Sequence, residues 1–213
     1  MKQTGIILAS GSPRRIEIMQ KHGITPAILK PEVEENLPQN IGMEEAVMYL
    51  ALKKALYAEE RCADGLIIAA DTVVYLDRII GKPQDEQDAV EILKFLRGRK
   101  HTVATGAALI AAHTDIRRVF CERTDVYFKN YTDEDIAAYV ATGEPLDKAG
   151  AYAVQGGFAP YISRIEGDYN NVVGFPWTRI CDELKRMDLG STAFRALWEV
   201  PEREQHAEPT KNI

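Results

Sequence analysis

The chain has 213 residues, is 46% hydrophobic and 27% charged, and carries a net charge of −6. That is the composition of an ordinary globular protein with ample core material, and its acidic balance argues against a broad nucleic-acid-binding surface while leaving room for a local anion site. Cys62, Cys121 and Cys181 are far apart and form no CxxC pair, which speaks against a disulfide scaffold or zinc site, and no apolar stretch reaches membrane-spanning length. A cytoplasmic chain that engages neither membrane nor nucleic acid is expected.

The apolar run Gly5-Ile6-Ile7-Leu8-Ala9 reads as a first buried strand, and Ser12-Pro13 as the N-cap and first position of a helix over 13–22 that Gly23 stops, with Ile16 and Met19 inward. Arg14 and Arg15 then fall in the first helical turn. Unpaired backbone N–H groups already make a helix start positive, so two added cations there anticipate an anion, and phosphate is the natural guess. A short strand is expected at 27–29, then the acidic loop 31–38, which carries Glu34 and Glu35. Ala46, Val47, Leu50, Ala51 and Ala55 give a helix over 43–61 one apolar face.

Leu66-Ile67-Ile68-Ala69-Ala70 has the pattern of a strand buried on both faces, ending at Asp71-Thr72. A hairpin over 73–80 turns at Asp77-Arg78, and a helix over 85–97 is capped by Asp85. Long strands at 101–112 and 117–128 flank a polar turn at 113–115; Thr132 caps a helix over 133–141 that Gly143 ends. Residues 144–176 read as irregular with one strand at 161–165, and Pro176 begins a last helix running to about Arg186. The order alternates α and β first and turns antiparallel later, which predicts a mixed sheet wrapped by helices. Residues 1–186 form the expected domain; 187–213 read as a flexible C-terminal extension.

Several residues are candidates for chemistry. Asp71 stands where a buried strand is expected to end, the place where ligands gather in α/β sheets, although a turn or cap aspartate has the same signature. Pro83 holds Lys82 extended and Gly81 lets backbone approach a ligand, so Lys82 can act as a fixed charge toward phosphate or serve as a solvated loop lysine. Lys53 and Lys54 lie mid-helix, where lysines commonly reach out to solvent. Glu34 and Glu35 could join Asp71 in holding Mg²⁺, which binds one or two carboxylates while sharing phosphate oxygens, or could simply be solvated. Gln155, in Gln155-Gly156-Gly157, offers an amide that can read a base edge, or is only the polar neighbour of a glycine turn. The four histidines show no metal-ligand spacing, and neither common glycine-rich phosphate motif is present.

Together these segments resemble the Maf-like nucleoside triphosphate pyrophosphatases. The resemblance rests on Ala9-Ser10-Gly11-Ser12-Pro13-Arg14-Arg15, Ala70-Asp71-Thr72, Gly81-Lys82-Pro83, the stretch from Gly143 to Tyr152, and Asn171-Val172-Val173-Gly174-Phe175-Pro176, in collinear order over about 5–186. It implies a mixed, strongly twisted α/β sheet with a central nucleotide-binding cleft, similar to inosine triphosphate pyrophosphatase. It also implies hydrolysis of a nucleoside triphosphate between its α and β phosphates with Mg²⁺ or Mn²⁺. Asp71 matches the proton acceptor; Lys82 and Glu35 match catalytic positions, with Glu35 and Asp71 toward the metal. Ser12, Arg14, Arg15 and Lys54 match substrate contacts. Thr72 and Gln155, with Arg14, match the specificity set of the dTTP/UTP branch, whereas the 7-methyl-GTP branch typically carries glutamates there. A homodimer is compatible with the family. A nucleotide-sensing regulator of septum formation is the competing reading. The chain departs from the pattern in Tyr169-Asn170-Asn171, with Asn where Ser is more usual, and in its residues beyond Met187.

Overall fold

The computed structural model describes residues 5–187 and Leu189, so the expected C-terminal extension lies almost wholly outside the described residues. One seven-stranded mixed sheet organises the described residues. Strand β1 (Ile6–Ala9) leads into helix α1 (Pro13–Lys21), strand β2 (Ala27–Ile28) and helix α2 (Met43–Glu59). Strand β3 (Leu66–Leu76) turns into β4 (Arg78–Ile80) through Asp77 at φ 61°, and helix α3 (Glu86–Leu96) follows. Long strands β5 (Lys100–Ala111) and β6 (Arg117–Phe128) precede helix α4 (Asp133–Val140), strand β7 (Ile162–Glu166), the short helix α5 (Tyr169–Val173) and helix α6 (Trp177–Arg186). The order across the sheet is β2-β1-β3-β5-β6-β7, with β4 against β3. Both neighbours of β1 run parallel to it; the pairings from β3 through β7 are antiparallel. The expected change from alternating to antiparallel order is what the sheet shows.

Local chemistry accounts for most boundaries. Asp85 caps α3 by accepting from the Asp88 N–H, and Thr132 forms a capping box with Asp135 at the start of α4. Ser12 occupies the N-cap position of α1 but makes no side-chain cap. Ile18 and Met19 form the buried face of α1, and Ile16 packs half-buried against the same core, as expected. One expectation fails here. The strand expected to stop at Asp71-Thr72 continues unbroken to Leu76, because Asp71 and Thr72 pair with Gly106 and Thr105 of β5. Tertiary pairing overrides the local signal of two polar residues.

Alternation along β3 sends its side chains to two different layers. Ile67 and Ala69 pack with the fully buried Ala51, Ala55 and Ala58 of α2, whereas Leu66, Ile68 and Ala70 pack with Met19, Phe175 and Ile180 from the α1 and α6 side. Asp71 continues the first series and Thr72 the second. An aromatic cluster of Phe128, Tyr131, Tyr139, Tyr152 and Phe158 fills the space between the far part of the sheet and α3 and α4.

Candidate active site

The sheet has a notch beside Asp71. β1 pairs with β3 only as far as Ala9 opposite Ala69, and β4 resumes pairing at Val74, so residues 70–73 have, among the described residues, a strand neighbour on one side only. Around this gap the chain gathers most of the charged residues singled out by sequence.

On one face of the sheet, Asp71 points to α2. Gly106 lies opposite Asp71, and a Cβ there would meet the Val47 main chain at 2.3 Å. Glycine at this position lets α2 settle directly on the sheet. Val47 and Lys54, seven residues apart, share the helix face turned to the strand. Lys54 Nζ consequently reaches Asp71 Oδ1 at 2.6 Å and Glu35 Oε1 at 2.6 Å. The Asp71 and Lys54 side chains are only 10% and 12% exposed, but Glu35 is 51% exposed, so the group is anchored in the core and opens to solvent at Glu35. Partial burial alone would raise the Glu35 carboxyl; the Lys54 hydrogen bond and charge, with Lys82 and Arg15 beyond, hold it below its ordinary value. Lys53 fastens the same loop by donating to the Glu34 carbonyl at 2.7 Å. Of the adjacent pairs Lys53/Lys54 and Glu34/Glu35, the structure therefore brings the second member of each to Asp71.

On the other face, Arg15 turns back from α1 into the sheet. Its Nε donates to the Gly174 carbonyl at 2.9 Å, Nη1 to Ser10 Oγ at 3.0 Å and the Ala70 carbonyl at 2.7 Å, and Nη2 to Thr72 Oγ1 at 3.3 Å. The guanidinium thus ties β1, β3 and the end of α5 together across the notch. Burial draws its pKa down to about 10, opposed by the Asp71 charge, so it remains a cation at neutral pH. The expected phosphate fork at Arg15 is largely committed to protein acceptors. Arg14 faces outward, with Nη1 3.6 Å from Asp147 Oδ2. Lys82 is exposed between Gly81, whose carbonyl accepts from the Gly150 N–H at 2.9 Å, and the buried Pro83.

Gln155 is exposed in a turn held by Glu144, which accepts from the Gly157 N–H at 2.9 Å. Gln155 lies near Tyr169 of α5, the helix that also supplies Asn171 to the Thr72 side of the sheet. Sequence reasoning did not single out Ser10, Gly106, Thr105, Asn171 or Glu144 as site residues. Gly106 carried a readable signal, because glycine inside a strand marks close backbone approach. The others act through contacts between distant parts of the chain.

Two carboxylates converging on one ammonium leave a net negative charge and free oxygen lone pairs, a donor set that fits Mg²⁺ or Mn²⁺. Among the described residues, no group of three or more His, Cys, Asp or Glu side chains forms a metal site. An ion at Asp71 and Glu35 would therefore need further oxygen ligands from substrate or water, as Mg²⁺ commonly does.

A mixed-sheet α/β fold with carboxylates and cations around one notch defines a class of protein built to handle a polyanionic ligand. Comparison with known proteins narrows this: residues 5–187 match the family model described as Maf-like protein. The protein named dTTP/UTP pyrophosphatase from Bacillus cereus (strain AH820) is 45% identical over 188 residues, covering 88% of this chain and 97% of that one. Proteins of the same name from Bacillus anthracis and Bacillus thuringiensis subsp. konkukian (strain 97-27) match with the same identity and coverage. Among solved structures, the Ham1 protein of Staphylococcus aureus shows a distant likeness, at 16% identity and a TM-score of 0.41, over 73% of this chain and 90% of that one. The chain belongs to the Maf-like family.

Proposed function

We propose that this protein is a nucleoside triphosphate pyrophosphatase acting on dTTP and UTP, with its catalytic unit in residues 1–186. The observation that carries the reading is the Asp71–Lys54–Glu35 group, buried at Asp71 and open at Glu35, at the one-sided gap in the sheet. The name borne by relatives with 45% identity supports the substrate class. Three free cysteines favour a reducing, cytoplasmic setting, and among the described residues no helix is long and apolar enough to cross a membrane.

In this reading a water attacks the α-phosphorus while Asp71 accepts its proton. The new P–O bond forms as the bond to the α–β bridging oxygen breaks, and the electron pair leaves with pyrophosphate. Lys54, donating to Asp71 Oδ1, orients its carboxylate. Arg14 and Lys82, the more exposed cations, meet the phosphate chain, and Arg15 holds the walls of the notch in place. The Ser12 hydroxyl, which makes no cap, remains available at the start of α1. A divalent cation held by Asp71 and Glu35 would supply neutralisation of phosphate charge. Thr72 and Gln155 face the base.

The test is pyrophosphate release from a panel of triphosphates with Mg²⁺ or Mn²⁺. Turnover is expected to be highest with dTTP and UTP. Preference for 7-methyl-GTP would move the chain to the other branch, and no turnover with any triphosphate would favour a nucleotide sensor.

A further inference from the structure

Thr72 lies on the sheet face opposite Asp71, in a chain of hydroxyls whose polarity the geometry determines. The Asn171 main-chain carbonyl can only accept, so the Thr105 hydroxyl donates to it, at 3.0 Å. Thr105 has one proton and has spent it. Its 3.0 Å contact with Thr72 Oγ1 must then be donated by Thr72. Arg15 Nη2 donates into the same Thr72 oxygen at 3.3 Å. Thr72 therefore gives its proton inward to Thr105 and receives one from Arg15. What its half-buried oxygen can still offer a ligand is a lone pair.

The far end of this chain is fixed as firmly. Asn171 is fully buried, and its side-chain amide donates to the Val103 carbonyl at 3.1 Å and to Thr124 Oγ1 at 3.0 Å. Thr124 in turn donates to the Asp168 carbonyl at 3.0 Å. The peptide that accepts from Thr105 thus cannot turn away. Gly174, at φ 102°, leaves the space beside this oxygen open: a Cβ there would stand 3.0 Å from Thr72 Oγ1.

We propose that Thr105 and the Asn171 carbonyl lock the Thr72 hydroxyl as a hydrogen-bond acceptor, and that this makes the site select pyrimidines whose N3 carries a hydrogen. Uracil and thymine present an N3–H donor to that lone pair. Cytosine presents a bare N3 acceptor, so two lone pairs would face each other with no proton between them. Gln155 cannot make this distinction alone, because its amide both donates and accepts and can rotate to suit either base. Thr105 and Asn171 are positioning residues, acting on the base through Thr72. The inference rests on the pyrophosphatase reading and on Thr72 meeting the base.

The experiment measures kcat/KM for UTP, CTP and N3-methyl-UTP with the wild-type protein, then repeats UTP and CTP with Thr105→Val and Thr105→Ser. In the wild type, CTP and N3-methyl-UTP should each fall below UTP by at least about 10-fold, the cost of one unpaired polar contact. Thr105→Val frees the Thr72 proton and should bring the UTP-to-CTP ratio toward parity, while Thr105→Ser should restore it. Comparable use of UTP and N3-methyl-UTP by the wild type overturns the proposal even if Thr105→Val does not fold. So does a Thr105→Val protein that hydrolyses UTP with an unchanged ratio. Absence of turnover with every triphosphate overturns the pyrophosphatase reading itself, and this inference with it.

Discussion

His101 should make the protein lose stability on acidification in a way that one substitution removes. Its side chain is 2% exposed, its Nε2 lies 2.8 Å from the Tyr152 hydroxyl, and the rings of Phe128 and Tyr152 stand edge-on to it at 4.6 and 5.4 Å. Burial lowers its pKa from 6.5 to about 4, against smaller opposing contributions from the nearby Arg99 backbone and the Asp125 charge. The unfolded chain therefore binds this proton more readily than the folded one, so stability rises with pH between about 4 and 6.5 and is fully present above that window. At pH 5 the linkage relation gives a loss of about 2 kcal/mol relative to pH 7.5, growing to about 3 kcal/mol below pH 4. Urea unfolding of the wild type and His101→Phe at pH 7.5 and 5.0 measures this. His101→Phe leaves the Tyr152 hydroxyl unpaired at both pH values, a constant cost that cancels in the comparison, as does titration of the carboxylates. The wild type should lose about 2 kcal/mol more than the variant on acidification. Equal losses would refute the claim that His101 is shielded as a neutral ring.

Two further perturbations probe the notch. Lys54→Met removes the cation shared by Asp71 and Glu35, and should lower pyrophosphate release by at least about 100-fold through loss of charge placement. An unchanged rate would mean that Lys54 is only a packing residue of α2. Gly174→Ala forces a side chain into a φ of 102° with its Cβ 3.0 Å from Thr72 Oγ1. It should cost about 1–3 kcal/mol in urea unfolding and weaken nucleotide binding, and a variant as stable as the wild type would show that the α5 end is not rigid.

The sequence made the scaffold readable wherever local chemistry decides it. Asp85 and Thr132 announced their helices, the run from Leu66 to Ala70 announced a strand buried on both faces, and Asp77 announced a turn. It misjudged the end of β3 because two polar residues look like a terminus until Thr105 and Gly106 are seen beside them. Arg14 and Arg15 both fall at a helix start, but adjacent residues on a helix diverge by about 100°. One therefore faces Asp147 at the surface, and the other turns inward to Ser10, Ala70, Thr72 and Gly174. Nothing local to residue 15 indicates acceptors contributed by residues 70, 72 and 174. The same holds for Lys54, whose partners become visible only once Gly106 lets α2 approach the sheet. The resemblance implies roles for Asp71, Lys54 and Glu35, and the fold brings both carboxylates onto the one Lys54 ammonium. The hydroxyl chain behind Thr72 joins residues 72, 105 and 171, which no local sequence pattern links.

Asp71→Asn tests the central claim most directly, measured as pyrophosphate release from dTTP and UTP beside nucleotide binding by calorimetry. The amide keeps the shape of the side chain but cannot take a proton from water. Turnover should fall by at least about 100-fold, the scale of a lost general base, while binding is largely retained. Release of pyrophosphate at near wild-type rate would contradict the assignment of Asp71 as the base.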